Sequence, residues 1–388
     1  MKFPLIQEDE IFKLKAEFES DRRQHKINGG IGVYLENKGT PYILPTVKKT
    51  ANRLKFNNFN YLPLSGDPAF LEQTAKLALG NSLFKENNRY IAKQGTIGGT
   101  NAIYMWARFI KEVDKKPKII IANPTWENHI RMFEYFGFSV IRYPHFTKEK
   151  QFNFAALKEI LLKNPEAYVL YQGGPTHNPS GINPDNNQWK VLAEISSEKK
   201  QSILFDYAYL GLGNDIVSDS FCIRHFIGKR IPTSFAVSYS KNMTLYQHRT
   251  GALFITLNSN QEKEIAEKIL QNTFRLVNSN PAAFGEQIVK TILSSKELSD
   301  NWKIDLSYML ADLNKRRGIF IKESAGKFDF LKECRGLFGM LFLTPGQISR
   351  LREKYAIYIL SNSRINFGGI SIKNIAKVAK AVLKLKLT

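Results

Sequence analysis

The sequence predicts an α/β protein with a mostly parallel sheet, on two observations. First, five short apolar runs are rich in β-branched and aromatic residues, which is typical of buried strands. These runs stand at residues 118–122, 167–171, 202–206, 234–239 and 251–256. Second, segments with the apolar spacing of helices lie between them, at residues 101–113, 126–136 and 189–199. Strands that alternate with helices in this way favour a parallel sheet covered by helices.

The chain after about residue 300 has a different pattern. A long polar amphipathic segment runs from Asp305 to Lys322, and a short apolar run at residues 339–344 has the character of a strand. The last predicted helix, Ile372 to Leu385, places apolar residues on one face and lysines on the other, namely Lys373, Lys377, Lys380 and Lys384. These elements predict a second, smaller domain whose lysine face is directed to solvent.

The composition is that of a globular protein. Of the 388 residues, 43% are apolar and 23% are charged, which excludes disorder along the whole chain. Lys and Arg exceed Asp and Glu by 56 to 35, and the net charge of +21 is compatible with nucleic acid, an anionic membrane surface or anionic small molecules. The basic residues are spread along the chain and are not clustered with aromatic residues, which disfavours a nucleic-acid partner.

The cysteines and the apolar runs bear on the compartment. Cys222 and Cys334 have no CxxC spacing and no paired histidines near them, so neither a disulfide framework nor a thiolate metal site is expected. The chain starts without a signal-like apolar region, and no run reaches the roughly 18 apolar residues of a membrane helix. We therefore expect a cytoplasmic protein with no bound metal and no membrane partner.

One lysine stands in an unusual setting. Lys241 lies in Ser238-Tyr-Ser-Lys241-Asn, directly after a predicted buried strand. A lysine at a strand end beside hydroxyl groups is easily desolvated, and a desolvated lysine loses its proton readily enough to form a Schiff base with a carbonyl cofactor. The pattern alone leaves an ordinary surface lysine open as the alternative.

Two further motifs suit a phosphorylated carbonyl cofactor. Asp206 ends a predicted strand, where a carboxylate faces the crevice in which parallel sheets bind ligands. Pyridoxal phosphate needs a buried carboxylate at its ring nitrogen and a donor at its phenolic oxygen, which Asp206 and Tyr209 can supply. Gly98-Gly99-Thr100 opens a predicted helix, whose backbone N–H groups can bind phosphate. Taken singly, these motifs are also compatible with a helix cap, a core tyrosine and a simple turn.

Eight stretches of the chain together form the motif pattern of one family. They are Gly30-Ile-Gly32-Val-Tyr34, Tyr61-Leu-Pro-Leu-Ser-Gly66, Asn123-Pro-Thr-Trp126-Glu-Asn-His129, His177-Asn178-Pro-Ser-Gly181, Asp206-Tyr-Ala-Tyr209, Ser238-Tyr-Ser-Lys241-Asn, Ser279-Asn-Pro281 and Ser363-Arg364-Ile-Asn366. With these motifs in this order, the sequence from Ile11 to the end resembles the class I aminotransferases, most closely their aspartate and aromatic amino acid subgroup.

The resemblance implies pyridoxal 5′-phosphate as the cofactor. It makes Lys241 the residue that forms the Schiff base and then moves a proton as the catalytic base. Trp126 would stack on the cofactor ring, and His129 would support Asp206. The implied catalytic residues are Lys241, Asp206, Tyr209 and Trp126, with Asn178 beside Tyr209 at the ring oxygen. The phosphate would be bound by Gly98, Gly99, Thr100, Ser238, Arg249 and, reaching over from a second copy of the chain, Tyr61.

The same resemblance implies the substrate anchors. Arg364 would clamp the α-carboxylate with two parallel hydrogen bonds, because a planar guanidinium matches a carboxylate. Arg275 would cross a dimer interface to bind a side-chain carboxylate, which makes dicarboxylates substrates. Relatives that accept aromatic amino acids keep this arginine and move it aside. The remaining substrate-binding residues would be Gly32, Trp126 and Asn178.

The implied fold is the pyridoxal-phosphate-dependent transferase fold type I. It has a large domain with a mostly parallel seven-stranded sheet flanked by helices, and a small α/β domain from both chain ends. We predict an N-terminal arm and part of the small domain over residues 1–40, the large cofactor-binding domain over 41–300 and the small C-terminal domain over 301–388. The expected activity is ping-pong transfer of the amino group of aspartate, aromatic amino acids or both to 2-oxoglutarate by a homodimer with shared active sites. A lyase or decarboxylase on the same fold, or a basic nucleic-acid-binding protein, is the alternative.

Some positions depart from the pattern of close relatives. Gly173 stands where another histidine is usual beside the cofactor ring, and Asn101 stands where glycine is usual after the Gly-Gly-Thr triplet. Leu35 replaces an arginine, and Asn278 replaces an aromatic residue near the distal arginine. These differences bear on the polar surroundings of the cofactor and on side-chain preference.

Overall fold

The computed structural model describes residues 9–37, 39–55, 60–172 and 176–387. The described residues fall into two compact units. The small unit takes its residues from Met1–Tyr42, Pro179–Gly181 and Ala311–Thr388. The large unit takes its residues from Ile43–Asn178 and Ile182–Leu310.

The strands within the described residues form one large sheet and two small ones. The strands are β1 Ile27–Asn28, β2 Ile91–Ile97, β3 Lys118–Asn123, β4 Ser139–Pro144, β5 Tyr168–Tyr171, β6 Ser202–Tyr207, β7 Thr233–Ser238, β8 Thr250–Thr256, β9 Phe338–Met340, β10 Ile357–Tyr358 and β11 Arg364–Asn366.

The described residues also contain fifteen α-helices. They are α1 Glu10–Ser20, α2 Pro45–Arg53, α3 Pro68–Leu79, α4 Asn81–Asn87, α5 Gly98–Val113, α6 Glu127–Tyr135, α7 Phe154–Lys163, α8 Asn186–Glu198, α9 Ile216–Asp219, α10 Phe221–Gly228, α11 Asn260–Asn278, α12 Ala283–Ser294, α13 Lys296–Glu323, α14 Pro345–Tyr355 and α15 Ile372–Leu387. No helix among these combines the length and the apolar run that crossing a bilayer requires.

The large unit is built on a seven-stranded sheet with the order β2-β8-β7-β6-β5-β3-β4. Strand β8 is antiparallel to both of its neighbours, and the other pairings are parallel. The predicted α/β class with a mostly parallel sheet is therefore confirmed. The five apolar runs became β3 and β5 to β8, whereas β2 and β4 lie at the sheet edges. Edge strands carry polar residues such as Lys93 and Arg142, so they give no apolar run in the sequence.

The core of the large unit lies where helix α5 packs against the sheet. The helix buries one apolar face, which comprises Ala102, Ile103, Met105, Trp106, Phe109 and Ile110. In the adjoining sheet, Leu204, Ala236 and Leu253 are fully buried. Each large apolar side chain buried in this way contributes roughly 1.5–3 kcal/mol relative to exposure. This packing fixes the position of the first turn of α5 against the ends of the strands.

The small unit is organised around a buried arginine. The Arg316 guanidinium donates to the carbonyl oxygens of Gly368, Ile370 and Leu35 at 2.9, 3.1 and 3.0 Å. It also pairs with Asp312 at 2.7 Å. A buried charge is tolerated only when it is paired and hydrogen-bonded, and these contacts supply both.

The predicted C-terminal elements differ in extent from those observed. The amphipathic segment Asp305 to Lys322 forms part of the longer helix α13. The strand expected over residues 339–344 is β9, which ends at Met340. The chain cannot stay extended further, because Phe342 has φ of 51° and Pro345 begins α14.

Candidate active site

The end of β2 and the start of α5 form an anion cradle. Helix α5 begins at Gly98 directly after Ile97, so its first backbone N–H groups have no partner within the helix and lie at the carboxyl edge of the sheet. Gly98 has φ of +74°, and a Cβ there would lie 2.6 Å from the Arg249 guanidinium. A Cβ on Gly99 would lie 3.1 Å from the Ser238 side chain. A side chain at Gly98 would be strained by the positive φ and would crowd Arg249, so glycine keeps the space between the helix end and these side chains open.

The opposite wall of the cradle carries hydroxyl groups and a positive charge. Ser238, at the end of β7, donates its hydroxyl to Ser240 at 3.2 Å. The exposed Arg249 donates to Ser240 Oγ at 3.2 Å. A helix N-terminus facing a guanidinium is suited to phosphate. Thr100 lies exposed in the first turn of α5. Ser240 was missed from the sequence, although its place between Ser238 and Lys241 made it a visible candidate.

A buried line of polar groups ends at Asp206. His129, in the first turn of α6, is fully buried, and its Nε2 lies 3.1 Å from Asp206 Oδ2. The other carboxylate oxygen of Asp206 accepts from the backbone N–H of Ala208 at 3.1 Å. One oxygen of Asp206 thus has a backbone donor, and the other lies at hydrogen-bond distance from the imidazole.

The line continues on the other side of the imidazole. His129 Nδ1 lies 3.1 Å from the Thr125 hydroxyl, and Gln172 donates to that hydroxyl at 2.7 Å. Gln172 also donates to the backbone oxygen of Asn178 at 2.7 Å. Gln172 and Thr125 were missed from the sequence, although Gln172 is a polar residue directly after buried strand β5. Gly173, the predicted departure beside it, lies outside the described residues.

Lys241 lies beside the tyrosine predicted to act with it. The lysine is half-buried, and its Nζ lies 5.2 Å from the centre of the Tyr209 ring. Asn178 Nδ2 lies 3.5 Å from the Tyr209 hydroxyl, at the long limit of a hydrogen bond. The next residue, Asn242, is fully buried and donates to the backbone oxygen of Leu210 at 3.0 Å. This bond ties the turn after β7 to the segment that carries Tyr209.

Trp126 and the histidine pair complete the surroundings. Trp126 precedes α6 and meets the His129 ring edge-on, with ring centres 5.1 Å apart. His177, next to Asn178, stacks on His145 at 3.8 Å between ring centres. Burial lowers the pKa of His145 to about 3 and holds the pKa of His177 well below its usual range. Both rings are therefore neutral and stack without charge repulsion.

The predicted carboxylate clamp lies in the small unit. Arg364 begins β11, is 3% exposed and donates from Nη2 to the backbone oxygen of Gly30 at 2.6 Å. Its guanidinium lies over the ring of Phe338, 4.3 Å from the ring centre. A Cβ on Gly32 would lie 3.3 Å from the same ring. Phe338 was missed because nothing in its local sequence connects it with Arg364. These contacts hold a buried guanidinium in one orientation.

Tyr61 and Arg275 lie at the surface of the large unit. Tyr61 is 84% exposed and lines a surface pocket with Asn278 and Ser279. Arg275 is exposed in the last turn of α11 and donates to Ser279 Oγ at 2.8 Å. Asn278 accepts from Asn101 at 3.2 Å, so two of the predicted departures contact each other. No cluster of metal-binding side chains occurs in the described part of the chain.

The carboxyl edge of the seven-stranded sheet thus brings a phosphate cradle, a buried carboxylate and Lys241 into one unit. Glycines leave open space beside Arg249 and Ser238, which fits a phosphate group, and the buried carboxylate of Asp206 fits a protonated ring nitrogen. These features define a pyridoxal-phosphate enzyme of fold type I.

Comparisons with known proteins agree with this class. The model of the family "Aminotransferase class I and II" matches residues 24–382. The aspartate aminotransferase of Haemophilus influenzae is 34% identical over 97% of each chain, and that of Escherichia coli is 32% identical over 97% of each. The chain belongs to the class I and II aminotransferases. It is a transaminase that uses pyridoxal phosphate.

Solved structures show the same fold. The aromatic amino acids aminotransferase from Psychrobacter sp. B6, cocrystallised with aspartic acid, has a TM-score of 0.95 at 28% identity and covers 99% of each chain. The aromatic-amino-acid aminotransferase from Burkholderia pseudomallei, covalently bound to pyridoxal phosphate, has a TM-score of 0.92 at 30% identity and covers 98% of each chain. The predicted family, fold type and cofactor are confirmed.

Proposed function

We propose that this transaminase moves the amino group of aspartate, and also of aromatic amino acids, to 2-oxoglutarate in a ping-pong reaction. The observation that carries the proposal is the single edge at which Lys241, Asp206 and the glycine cradle meet. The relatives support the substrate classes, because those with similar sequences are named aspartate aminotransferases and similar structures are named aromatic aminotransferases.

The residues of the large unit would divide the chemistry among them. When bound, pyridoxal phosphate supplies the carbonyl that exchanges for an amino group and a ring that accepts electrons. Lys241 would move a proton to and from the substrate Cα. Asp206 would hold the proton on the ring nitrogen, and Trp126 would cover one ring face and exclude water. The cradle would bind the phosphate through Gly98, Gly99, Thr100, Ser238 and Arg249, while Asn178 and Tyr209 would donate to the ring oxygen.

Two arginines would select the substrate. Arg364 would bind the α-carboxylate, which every amino acid and oxo acid substrate carries, with Gly32 beside it. Its contacts to Gly30 and Phe338 support this role, because a guanidinium held in one orientation loses little freedom on binding. Arg275 would bind the second carboxylate of aspartate, glutamate or 2-oxoglutarate.

We propose that the enzyme is a cytoplasmic homodimer with shared sites. Tyr61 and Arg275 are exposed in a single chain, and Leu276 beside Arg275 is 86% exposed. An exposed leucine and tyrosine next to an exposed arginine fit a surface that a second copy covers. Tyr61 and Arg275 of one copy would then complete the site of the other.

The test is a visible absorption spectrum of the purified protein during substrate addition. Aspartate, and separately phenylalanine, should bleach the band of the lysine-bound cofactor, and 2-oxoglutarate should restore it with release of glutamate. The concentrations that bleach half of the band rank the two amino acids. Release of carbon dioxide and an amine, with no recovery of the band by 2-oxoglutarate, would instead establish a decarboxylase.

A further inference from the structure

The orientation of the Gln172 amide is determined by its neighbours. The backbone oxygen of Asn178 lies 2.7 Å from Gln172 Nε2, and a carbonyl oxygen only accepts hydrogen bonds. The flipped amide would place two oxygens at that distance with no proton between them. The nitrogen therefore faces Asn178, and its second proton faces Thr125 Oγ1 at 2.7 Å.

This orientation determines where the proton of Thr125 goes. Thr125 Oγ1 already accepts from Gln172, and the hydroxyl has a single proton to donate. The neighbouring polar atom is Nδ1 of His129, at 3.1 Å. Because Gln172 occupies one side of the oxygen as a donor, Nδ1 is the acceptor that remains for the hydroxyl proton, and Nδ1 then carries no proton. The imidazole proton is then on Nε2, which faces Asp206 Oδ2 at 3.1 Å.

Burial makes the arrangement strongly preferred. Thr125, His129, Gln172 and Asp206 are all buried. With the proton on Nδ1 instead, the Thr125 oxygen would accept from both Gln172 and Nδ1, and the hydroxyl proton would lose the Nδ1 acceptor. A bare Nε2 would also face the carboxylate lone pairs. An unmet polar group at a buried site is costly enough to bias the two tautomers by about tenfold or more.

We propose that Gln172 is a positioning residue that fixes the tautomer of His129 and so keeps an N–H donor on Asp206. The consequence for catalysis rests on the proposed function, because it requires Asp206 to hold the proton of the cofactor ring nitrogen. Without Gln172, the Thr125 hydroxyl can rotate and accept from Nδ1–H. Asp206 would then lose the donor at Oδ2 in part of the molecules while keeping the Ala208 N–H at Oδ1, and its hold on the ring proton would weaken.

The test reads the tautomer directly in the holoenzyme. The six histidines are labelled with 15N, the imidazole nitrogens are observed by NMR, and His129→Asn identifies the signals of His129. In the native chain, His129 should carry its proton on Nε2. Gln172→Leu should give a mixture of tautomers and lower kcat about tenfold, with a much smaller change in KM.

Companion variants separate the relay from local packing. Thr125→Val keeps the bond between Gln172 and Asn178 but removes the hydroxyl, so it should also mix the tautomers. Thr125→Ser should keep the native tautomer. The matched control is Gln201→Leu, because Gln201 is fully buried and also donates to two backbone oxygens, those of Leu161 and Asn164. It should leave the His129 signals unchanged.

The proposal is overturned if His129 of the native chain carries its proton on Nδ1. It is equally overturned if Gln172→Leu leaves the tautomer unchanged. Should Gln172→Leu not fold, an unchanged tautomer in Thr125→Val overturns it. The proposed function fails separately, because it is judged by turnover of aspartate and 2-oxoglutarate in the native enzyme. The tautomer is read from NMR signals that do not depend on turnover.

Discussion

The surroundings of Lys241 and the surface at Arg275 are held in opposite ways. Around Lys241, the polar groups are buried and form hydrogen bonds with one another. His129 is 0% exposed, and Asp206, which it contacts, is 7% exposed. At the other surface, Tyr61 is 84% exposed and Arg275 donates to Ser279, four residues away. A single chain thus preorganises the cofactor side of the proposed site. On the side that would choose the substrate, the orientation of the Arg275 side chain is fixed only by a contact with a residue nearby in the sequence.

The contrast has a physical reason. Stabilising charge on a cofactor ring requires fixed dipoles in a site that excludes water, and one chain supplies these by burying polar groups. Discrimination between a carboxylate and an aromatic ring benefits from an arginine that can move, and an exposed side chain on a helix end has that freedom. We therefore expect changes near Lys241 to affect all substrates alike, and changes at Arg275 to divide them.

Replacement of the lysine should have the largest effect. Lys241→Ala removes both the attachment point and the proposed base, so kcat should fall by about 10⁴-fold for aspartate and phenylalanine alike. Turnover is measured with each amino acid and 2-oxoglutarate. The variant should still bind pyridoxal phosphate through the cradle, which equilibrium dialysis can measure. An unchanged rate would show that Lys241 is not the base.

Replacement of the distal arginine should divide the substrates. Arg275→Leu should lower kcat/KM for aspartate about 100-fold, because a carboxylate would enter the pocket unpaired, and should change that for phenylalanine only a few-fold. The control is Arg108→Leu, which removes an arginine paired with Glu112 along α5. Equal losses for the two amino acids would mean that Arg275 is not the side-chain anchor.

Subunit mixing extends this test to the shared site. Lys241→Ala and Arg275→Leu chains, each nearly inactive toward aspartate, are unfolded together and refolded. If sites are shared, each mixed dimer has one site with both native residues, and random pairing restores about a quarter of native activity. Sites confined to single chains would show no such recovery.

The cradle should be the next most sensitive feature. A methyl group on Gly98 would meet the Arg249 guanidinium at 2.6 Å, so Gly98→Ala should weaken pyridoxal phosphate binding roughly tenfold. Gly137→Ala is the matched control, because Gly137 has a similar φ of +71° and its Cβ would meet nothing within 4 Å. Both variants should lose stability from backbone strain, and only Gly98→Ala should lose cofactor affinity. Equal affinities in dialysis would remove Gly98 from the cradle.

The contrast between the two regions also explains what the sequence could predict. Lys241, Asp206 and Gly98 stand in short motifs at strand and helix ends, where local sequence carries the information. The contact between Gln172 and Thr125 joins residues 47 positions apart, and Phe338 meets Arg364 across a strand pair. Such contacts depend on tertiary packing, which local spacing does not encode. The seven-stranded sheet itself came from resemblance, because its edge strands lack an apolar run.

The large unit contains another buried carboxyl group, Glu286, whose surroundings differ from those of Asp206. This residue of α12 is buried, and its Oε2 accepts from the backbone N–H of Asp67 at 2.8 Å. Burial raises the pKa of Glu286 to about 8 from 4.5, opposed by that backbone donor and reinforced by the Asp67 carboxylate. Asp206 differs, because a backbone N–H donates to one of its oxygens and the His129 imidazole lies at hydrogen-bond distance from the other.

The raised pKa of Glu286 sets the sign of a pH effect on stability. Between pH 4.5 and about 8, the folded chain keeps the Glu286 proton and the unfolded chain has released it. The contribution of Glu286 to the free energy of unfolding should therefore fall as pH rises through that window, by a few kcal/mol in total (about 1.4 kcal/mol per pKa unit at most).

Glu286→Gln should remove this decline, because an amide can accept the same bond without a charge. Urea unfolding at fixed protein concentration from pH 5 to 9 measures the difference, with the exposed Glu194→Gln as the control for charge removal. If the free energy of unfolding depended on pH in the same way for the native chain and Glu286→Gln, the pKa of Glu286 would not be raised by folding.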